Sequence, residues 1–297
     1  MSDLLCLGLG YSAVALARRL RPEGWRISGT TRDPAKAARL GTDGFDMHIT
    51  DGPAVPQSLV ASLKSATHLL VSASPDSGSD PFLHHLAGEI AAAPNLRRIG
   101  YLSTVGVYGD WLGAEVDERT PPRPVAERGK RRLVAEDAWL KLGADSGKTT
   151  GIFRLAGIYG PGQNALENLK DGTAKRIVKQ GQVFNRIHVD DIAATLIAAI
   201  ARQSENRIYN VTDDEPAPPQ DVVTFAAGLL GVEPPPAIPY EDAEMTPMAR
   251  SFYSENKRVS NRRIREELQV QLAYPTYREG MRGLHASMEK SSPQTAS

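Results

Sequence analysis

Leu4-Leu5-Cys6-Leu7-Gly8-Leu9-Gly10-Tyr11-Ser12-Ala13, running on to Leu20, is the stretch on which the fold reading turns. Leu4 to Leu7 is an apolar run of the length expected for a buried strand. Ala13, Leu16, Ala17 and Leu20 then recur at helical spacing. Between them stands Gly8-x-Gly10-x-x-Ala13, in which each small residue has a mechanical use. Gly8 permits a tight turn, Gly10 lets the main chain approach a pyrophosphate, and Ala13 lets helix and strand pack closely. The unpaired N–H groups of the new helix, at Tyr11, Ser12 and Ala13, would then face the phosphates.

Outward from this turn, strand-like and helix-like segments alternate. Trp25 to Thr30 reads as a second strand, and Asp33-Pro34 opens a helix with Asp33 as N-cap and proline at the first helical position. Further strands are expected at Phe45 to Ile49, Thr67 to Ser72, Arg98 to Ser103, Gly151 to Leu155 and Ile208 to Val211. Helices are expected from Pro81 to Ala93, through Leu133, Ala138 and Leu142, and from Ile192 to Arg202. The alternation predicts an α/β fold, a doubly wound parallel sheet of the NAD(P)-binding Rossmann type. Residues 1–163 and 183–212 would form that domain. Pro216-Ala217-Pro218-Pro219 and Pro234-Pro235-Pro236 break the pattern, so residues 164–182 and 213–288 are assigned to a smaller, loop-rich C-terminal lobe for substrate. Residues 289–297 are expected to be a disordered tail.

Lysine plus arginine equals aspartate plus glutamate at 35 each, which argues against a broad nucleic-acid or membrane-surface role. The single cysteine, Cys6, rules out an intramolecular disulfide framework and reads as core filler. No charged segment precedes an apolar stretch at the N-terminus, so no signal peptide is expected. The apolar helix Ile192 to Ala201 is too short to span a bilayer. A cytoplasmic setting follows by default. The histidines are scattered and His84-His85 are adjacent on a helix, so no metal site is expected.

A dinucleotide on Gly8 and Gly10 would direct its adenosine ribose to the end of the second strand. A carboxylate there usually holds a free 2′-hydroxyl. Here the strand ends Thr30-Thr31-Arg32, and two hydroxyls with a guanidinium suit a 2′-phosphate, so NADP(H) is expected over NAD(H). Asp51 is placed to accept from the adenine amino group, or is a solvated turn carboxylate.

Three further stretches narrow the reading: Leu102-Ser103-Thr104-Val105-Gly106-Val107-Tyr108-Gly109, Arg154-Leu155-Ala156-Gly157-Ile158-Tyr159-Gly160-Pro161-Gly162, and Ile187-His188-Val189-Asp190-Asp191-Ile192-Ala193. With the glycine turn, they resemble the extended short-chain dehydrogenase/reductase superfamily, in its NAD-dependent epimerase/dehydratase branch, from about Leu4 to Val211. The resemblance implies that Thr104, with Ser103 beside it, polarises the reacting C–O group of the substrate. It implies that Ser72, Ala73 and Gly157 flank the cofactor and that Arg186 and His188 lie at the substrate edge. His188 is expected to make a structural or substrate-edge hydrogen bond, and Asp190 and Asp191 to cap the following helix.

One departure from that family is decisive for the chemistry. Its signature base is a tyrosine four residues before a lysine, and by the flanking residues Arg128 and Arg132 occupy those two positions. Arginine does not release its proton in a protein, so Arg128 cannot do the phenol's work. It could clamp a carboxylate or phosphate or stabilise an oxyanion, and Arg132 could hold the nicotinamide ribose hydroxyls. Tyr101, Tyr108, Tyr159, His188 or a water held by Thr104 are the candidate replacements. Two readings remain. One is an enzyme that oxidises, reduces, epimerises or dehydrates a small, sugar-derived or nucleotide-sugar-like substrate, and two arginines in the cleft would fit an anionic one. The other is a catalytically silent NADP(H)-binding sensor. Relatives often dimerise, so a homodimer is a further possibility.

Overall fold

The computed structural model describes residues 2–50, 54–76, 80–202 and 207–291. Its centre is a parallel sheet of β1 (Asp3–Leu7), β2 (Arg26–Thr31), β3 (Asp46–Ile49), β4 (His68–Val71), β5 (Arg98–Thr104), β6 (Thr149–Leu155) and β7 (Arg207–Val211). The strand order is β7-β6-β5-β4-β1-β2-β3. Crossovers between β1 and β3 run one way, and the chain then returns across β1 to place β4 on its other side. This reversal opens a crevice at the carboxyl ends of β1 and β4, where doubly wound sheets take ligands.

The crossover helices are α1 (Tyr11–Leu20), α2 (Pro34–Thr42), α3 (Gln57–Ser65), α4 (Leu83–Ala92) and α5 (Glu127–Asp145); the short α6 (Ala165–Lys170) precedes α7 (Val189–Arg202). Period-two alternation along the strands sorts the core. Leu4 and Cys6 face α1 and α7, while Leu5 and Leu7 face α3, α4 and α5. Burial on both faces explains why β1 is a continuous apolar run. Asp33 caps α2 as expected, accepting from the Ala35 and Lys36 amides at 2.9 and 3.2 Å. Asp80 stops its helix from starting at Pro81, because its Oδ1 takes the Phe82 and Leu83 amides.

After β7 come α8 (Pro219–Leu230), α9 (Pro247–Phe252), α10 (Arg262–Glu266) and α11 (Tyr277–Ser291). A second core forms where Leu166, Val222, Ala226, Tyr277, Met281 and Leu284 meet Tyr159. Ile264, Leu268 and Val270 instead bury into the α1/α7 face of the main sheet. The tail also departs from expectation, since α11 continues to Ser291; residues 292–297 lie outside the described residues. Among the described residues no helix is long and apolar enough to cross a membrane.

The expected capping role of Asp190 and Asp191 is corrected. Asp191 is fully buried, and its two carboxylate oxygens accept from the Ala273 and Tyr274 amides at 2.7 and 3.1 Å. Asp190 lies 3.6 Å from Arg19 across the surface. The start of α7 is therefore an anchor for the C-terminal segment.

Candidate active site

The turn leaving β1 is tight and opens onto an uncapped helix start. Gly8 has φ +87°, and a Cβ there would come within 2.9 Å of the Ala73 amide nitrogen. The Gly8 and Leu9 amides are spent on Thr30, at 2.7 and 2.8 Å. Gly10 is the N-cap of α1 and supplies no side-chain cap, so the amides of Tyr11, Ser12 and Ala13 have no intrahelical acceptor. A Cβ on Gly10 would face Ser72 Oγ at 3.6 Å. Ser72 and Ala73 both donate to Leu7 O, which seats the end of β4 beside this turn. An uncapped helix start walled by glycine and Ala73 fits a dinucleotide diphosphate.

At the end of β2, Thr31 Oγ1 accepts the Asp33 amide at 3.2 Å. Arg32 is exposed and has no hydrogen bond or ion pair among the described residues. Asp33 spends its Oδ1 on the cap. Asp51 lies outside the described residues.

Thr104 ends β5 and lines a cleft of about 590 Å³. Its Oγ1 accepts the Gly106 amide at 3.1 Å, so its own proton remains free to donate. Ser103, expected beside it in a catalytic role, does not reach the cleft. Its hydroxyl donates to the buried Glu136 carboxylate. Strand alternation is the reason, since Ser103 shares the α5 face with Tyr101. Glu136 is held in turn by Arg154, Nη2 to Oε2 at 2.7 Å, and both are almost fully buried.

The two arginines of α5 part company although one helical turn stacks them. Arg128 lines the cleft, donates from Nη1 to Ser251 Oγ at 2.6 Å, and stacks on Phe252. Arg132 turns toward the segment leaving β4, donating to Ser74 Oγ at 2.8 Å and to Tyr101 Oη at 3.2 Å. That position is at the end of β4, outside the cleft that Arg128 lines.

The side chains proposed as replacement bases are largely buried. Burial pushes the Tyr101 phenol up to about 12. Tyr108 donates to Asn210 Oδ1 at 2.8 Å, and burial raises its pKa as well. Burial raises Tyr159, with nearby Asp213 adding to the effect. His188 accepts the Asp190 amide at Nδ1, 3.2 Å, and its ring packs between Tyr159 and Tyr274. Burial lowers its pKa. Arg186 and Gly157 do line the cleft. Arg186 donates to Phe184 O and Ala217 O at 2.9 and 3.1 Å, and Gly157 to Asn185 O at 3.0 Å.

Two cleft residues escape motif reasoning. Glu255 and Lys257 form a buried ion pair at 2.8 Å in the wall of the same cleft. The one sequence signal for them is opposite charge at a spacing of two, which an extended segment presents on one side.

The model of the NAD dependent epimerase/dehydratase family matches residues 7–212. Protein YeeZ of Escherichia coli strain K12 is 30% identical over 246 residues, covering 79% of this chain and 86% of that protein. The structure of a functionally unknown conserved protein from Silicibacter pomeroyi is 49% identical, covers 97% of this chain and all of its own, and superposes with a TM-score of 0.89. The dTDP-glucose 4,6-dehydratase of Bacillus anthracis, solved in complex with NAD, shares the fold at a TM-score of 0.79, with 16% identity and 98% of each chain covered.

Proposed function

The chain belongs to the NAD dependent epimerase/dehydratase family, and from that premise we propose a nicotinamide-dependent oxidoreductase, epimerase or dehydratase acting on a small sugar-derived or nucleotide-sugar-like substrate. The coenzyme, when bound, supplies hydride transfer at its nicotinamide. The chain's own residues do the rest. The uncapped start of α1 and the Gly8–Gly10 turn hold the diphosphate. Thr31 and Arg32 take a 2′-phosphate, which favours NADP(H), although the dehydratase relative was solved with NAD. Arg132 sits where it can reach the nicotinamide ribose.

The single observation that carries the reading is that Thr104 and Arg128 line one cleft at the carboxyl edge of the sheet. Thr104 donates its free proton to the reacting oxygen of the substrate. Arg128 and Arg186 add two guanidiniums to the same cleft, which suits an anionic group on the substrate. Screening sugar nucleotides and small carbonyl compounds for NADPH or NADH turnover, and for isotope exchange at carbon, tests this. Turnover of at least one is expected. Calorimetry that detects no uptake of either coenzyme overturns it. Tight uptake with no turnover favours a coenzyme-binding sensor instead, the reading that the missing phenol supports.

A further inference from the structure

Six residues lining the cleft are ionisable: Arg128, Tyr159, Arg186, Tyr253, Glu255 and Lys257. The arginines do not release protons. Burial raises both tyrosines away from neutrality. Among the described lining residues, Glu255 and Lys257 form the remaining ionisable pair.

Their geometry suits the task. Lys257 Nζ donates to Glu255 Oε2 at 2.8 Å and to Gly109 O at 2.7 Å. The other carboxylate oxygen, Oε1, makes no hydrogen bond among the described residues. A Cβ placed on Gly106 would stand 3.3 Å from Thr104 Oγ1 and 4.0 Å from Glu255 Oε2. The Thr104 hydroxyl and the Lys257-bound oxygen of Glu255 therefore face the same glycine on the cleft wall.

The segment is also fixed. Gln182 Nε2 donates to Glu255 O at 2.8 Å and Asn185 Nδ2 to Lys257 O at 3.0 Å. On its other side the Asn256 amide donates to Asp110 Oδ1 at 2.8 Å, and Trp111 N donates to Asn256 O at 2.9 Å. Such straps hold both side chains against the cleft. Burying an ammonium and a carboxylate costs several kcal/mol of desolvation per ion, which apolar residues of similar volume avoid. Stability alone is a poor account of the pair.

We propose that Glu255 is the acid/base residue of this cleft, exchanging a proton with the substrate hydroxyl that Thr104 orients, and that Lys257 is the positioning residue that holds its carboxylate. The inference rests on the enzymatic reading above. The step is a proton transfer only: the substrate O–H bond breaks, its electron pair stays on the substrate oxygen, and a new O–H bond forms on Glu255. The reverse step returns the proton. The charged groups around the pair are Arg128, whose charge adds to burial in lowering the Lys257 ammonium, and Asp110, which opposes that shift.

The test uses Glu255→Gln, which keeps shape and can still accept from Lys257, with Glu255→Asp as the conservative rescue. Both are assayed with NADPH on whichever sugar nucleotide or carbonyl compound the wild type turns over. Glu255→Gln is expected to lose about 10²–10⁴-fold in kcat. KM and calorimetric NADPH affinity should stay within about threefold. The acid limb of the kcat profile against pH should vanish in Glu255→Gln and return in Glu255→Asp. A Glu255→Gln enzyme that keeps both kcat and the acid limb overturns the proposal while leaving the enzymatic reading intact. A wild type that binds NADPH and turns over nothing overturns the enzymatic reading and this one with it. If Glu255→Gln shows no cooperative urea transition, the double variant Glu255→Gln/Lys257→Met, which removes both buried charges, carries the same test.

Discussion

Arg128 and Phe252 lie face to face at the cleft, with the guanidinium carbon 4.0 Å from the ring centroid. The same guanidinium donates to Ser251 Oγ at 2.6 Å, so one side chain ties the first turn of α5 to the end of α9. A hydrogen bond from a charged donor contributes about 1.5–3 kcal/mol and an exposed cation–π contact about 0.5–1 kcal/mol. Arg128→Ala should release α9 without unfolding the sheet. Tryptic cleavage after Arg250 is then expected to speed up at least about fivefold, with the urea midpoint little moved. Equal cleavage rates in both proteins would show that α9 is held by other contacts.

Gly8 and Gly10 should respond differently to the same methyl group. At Gly8 the backbone is left-handed and Ala73 N stands 2.9 Å from the new atom, so Gly8→Ala should cost about 1–3 kcal/mol of stability and abolish coenzyme uptake. At Gly10 the φ of −88° is ordinary and Ser72 Oγ is 3.6 Å away. Gly10→Ala should fold normally yet weaken coenzyme binding at least about tenfold by filling the diphosphate approach. Calorimetry with parallel urea titrations separates the two outcomes.

The proposed 2′-phosphate site puts the choice of coenzyme on Arg32. Arg32→Ala should weaken NADPH at least about tenfold, the loss of one charge-assisted phosphate contact, and leave NADH within about twofold. Equal losses for both coenzymes would remove the 2′-phosphate assignment.

The Glu136–Arg154 pair is nearly solvent-free, with side chains 1% and 3% exposed. Arg154→Met leaves the carboxylate buried with only Ser103 for company, and a loss of about 3–5 kcal/mol is expected in urea unfolding. Adding Glu136→Leu should recover much of it, because the desolvation cost of both ions then disappears. A double variant no more stable than the single would show that packing, not charge, dominates there.

Asp213 gives stability a pH dependence. Burial raises its carboxyl from the ordinary 3.8 to about 8, against the pull of Arg186. A folded pKa above the unfolded one means that the native state binds the extra proton. The contribution is complete below pH 4 or so and is lost as pH rises through about 8. Asp213→Asn, which can still accept the Glu215 amide, should flatten this slope and be the more stable protein at pH 8. Parallel urea midpoints at pH 5 and pH 8 check it.

The sheet was readable because both of its periodicities are local. Leu4 to Leu7 and the Gly8-Gly10-Ala13 spacing lie within one strand and one helix, and Asp33 caps within three residues. What escaped depends on side-chain direction or on distant partners. Ser103 and Thr104 are neighbours in sequence, yet one donates inward to Glu136 and the other lines the cleft. Alternation along β5 could have separated them. Asp191 looked like a helix cap because acidic residues favour helix starts, but its acceptors are taken by amides more than eighty positions later. Glu255 and Lys257 carry no motif, and only the folded chain brings them into the cleft with Thr104.

That late partnership of Asp191 bears on protein engineering. Cutting the chain after Val211 to obtain a minimal coenzyme-binding fragment would preserve all seven strands but strip the Ala273 and Tyr274 amides from a buried carboxylate. Such a fragment would carry an orphan charge at the root of α7 and would have to take up a proton or open to water. A designer wanting a portable coenzyme module from this scaffold must therefore graft the 273–274 turn along with it, or replace Asp191 by an uncharged residue first.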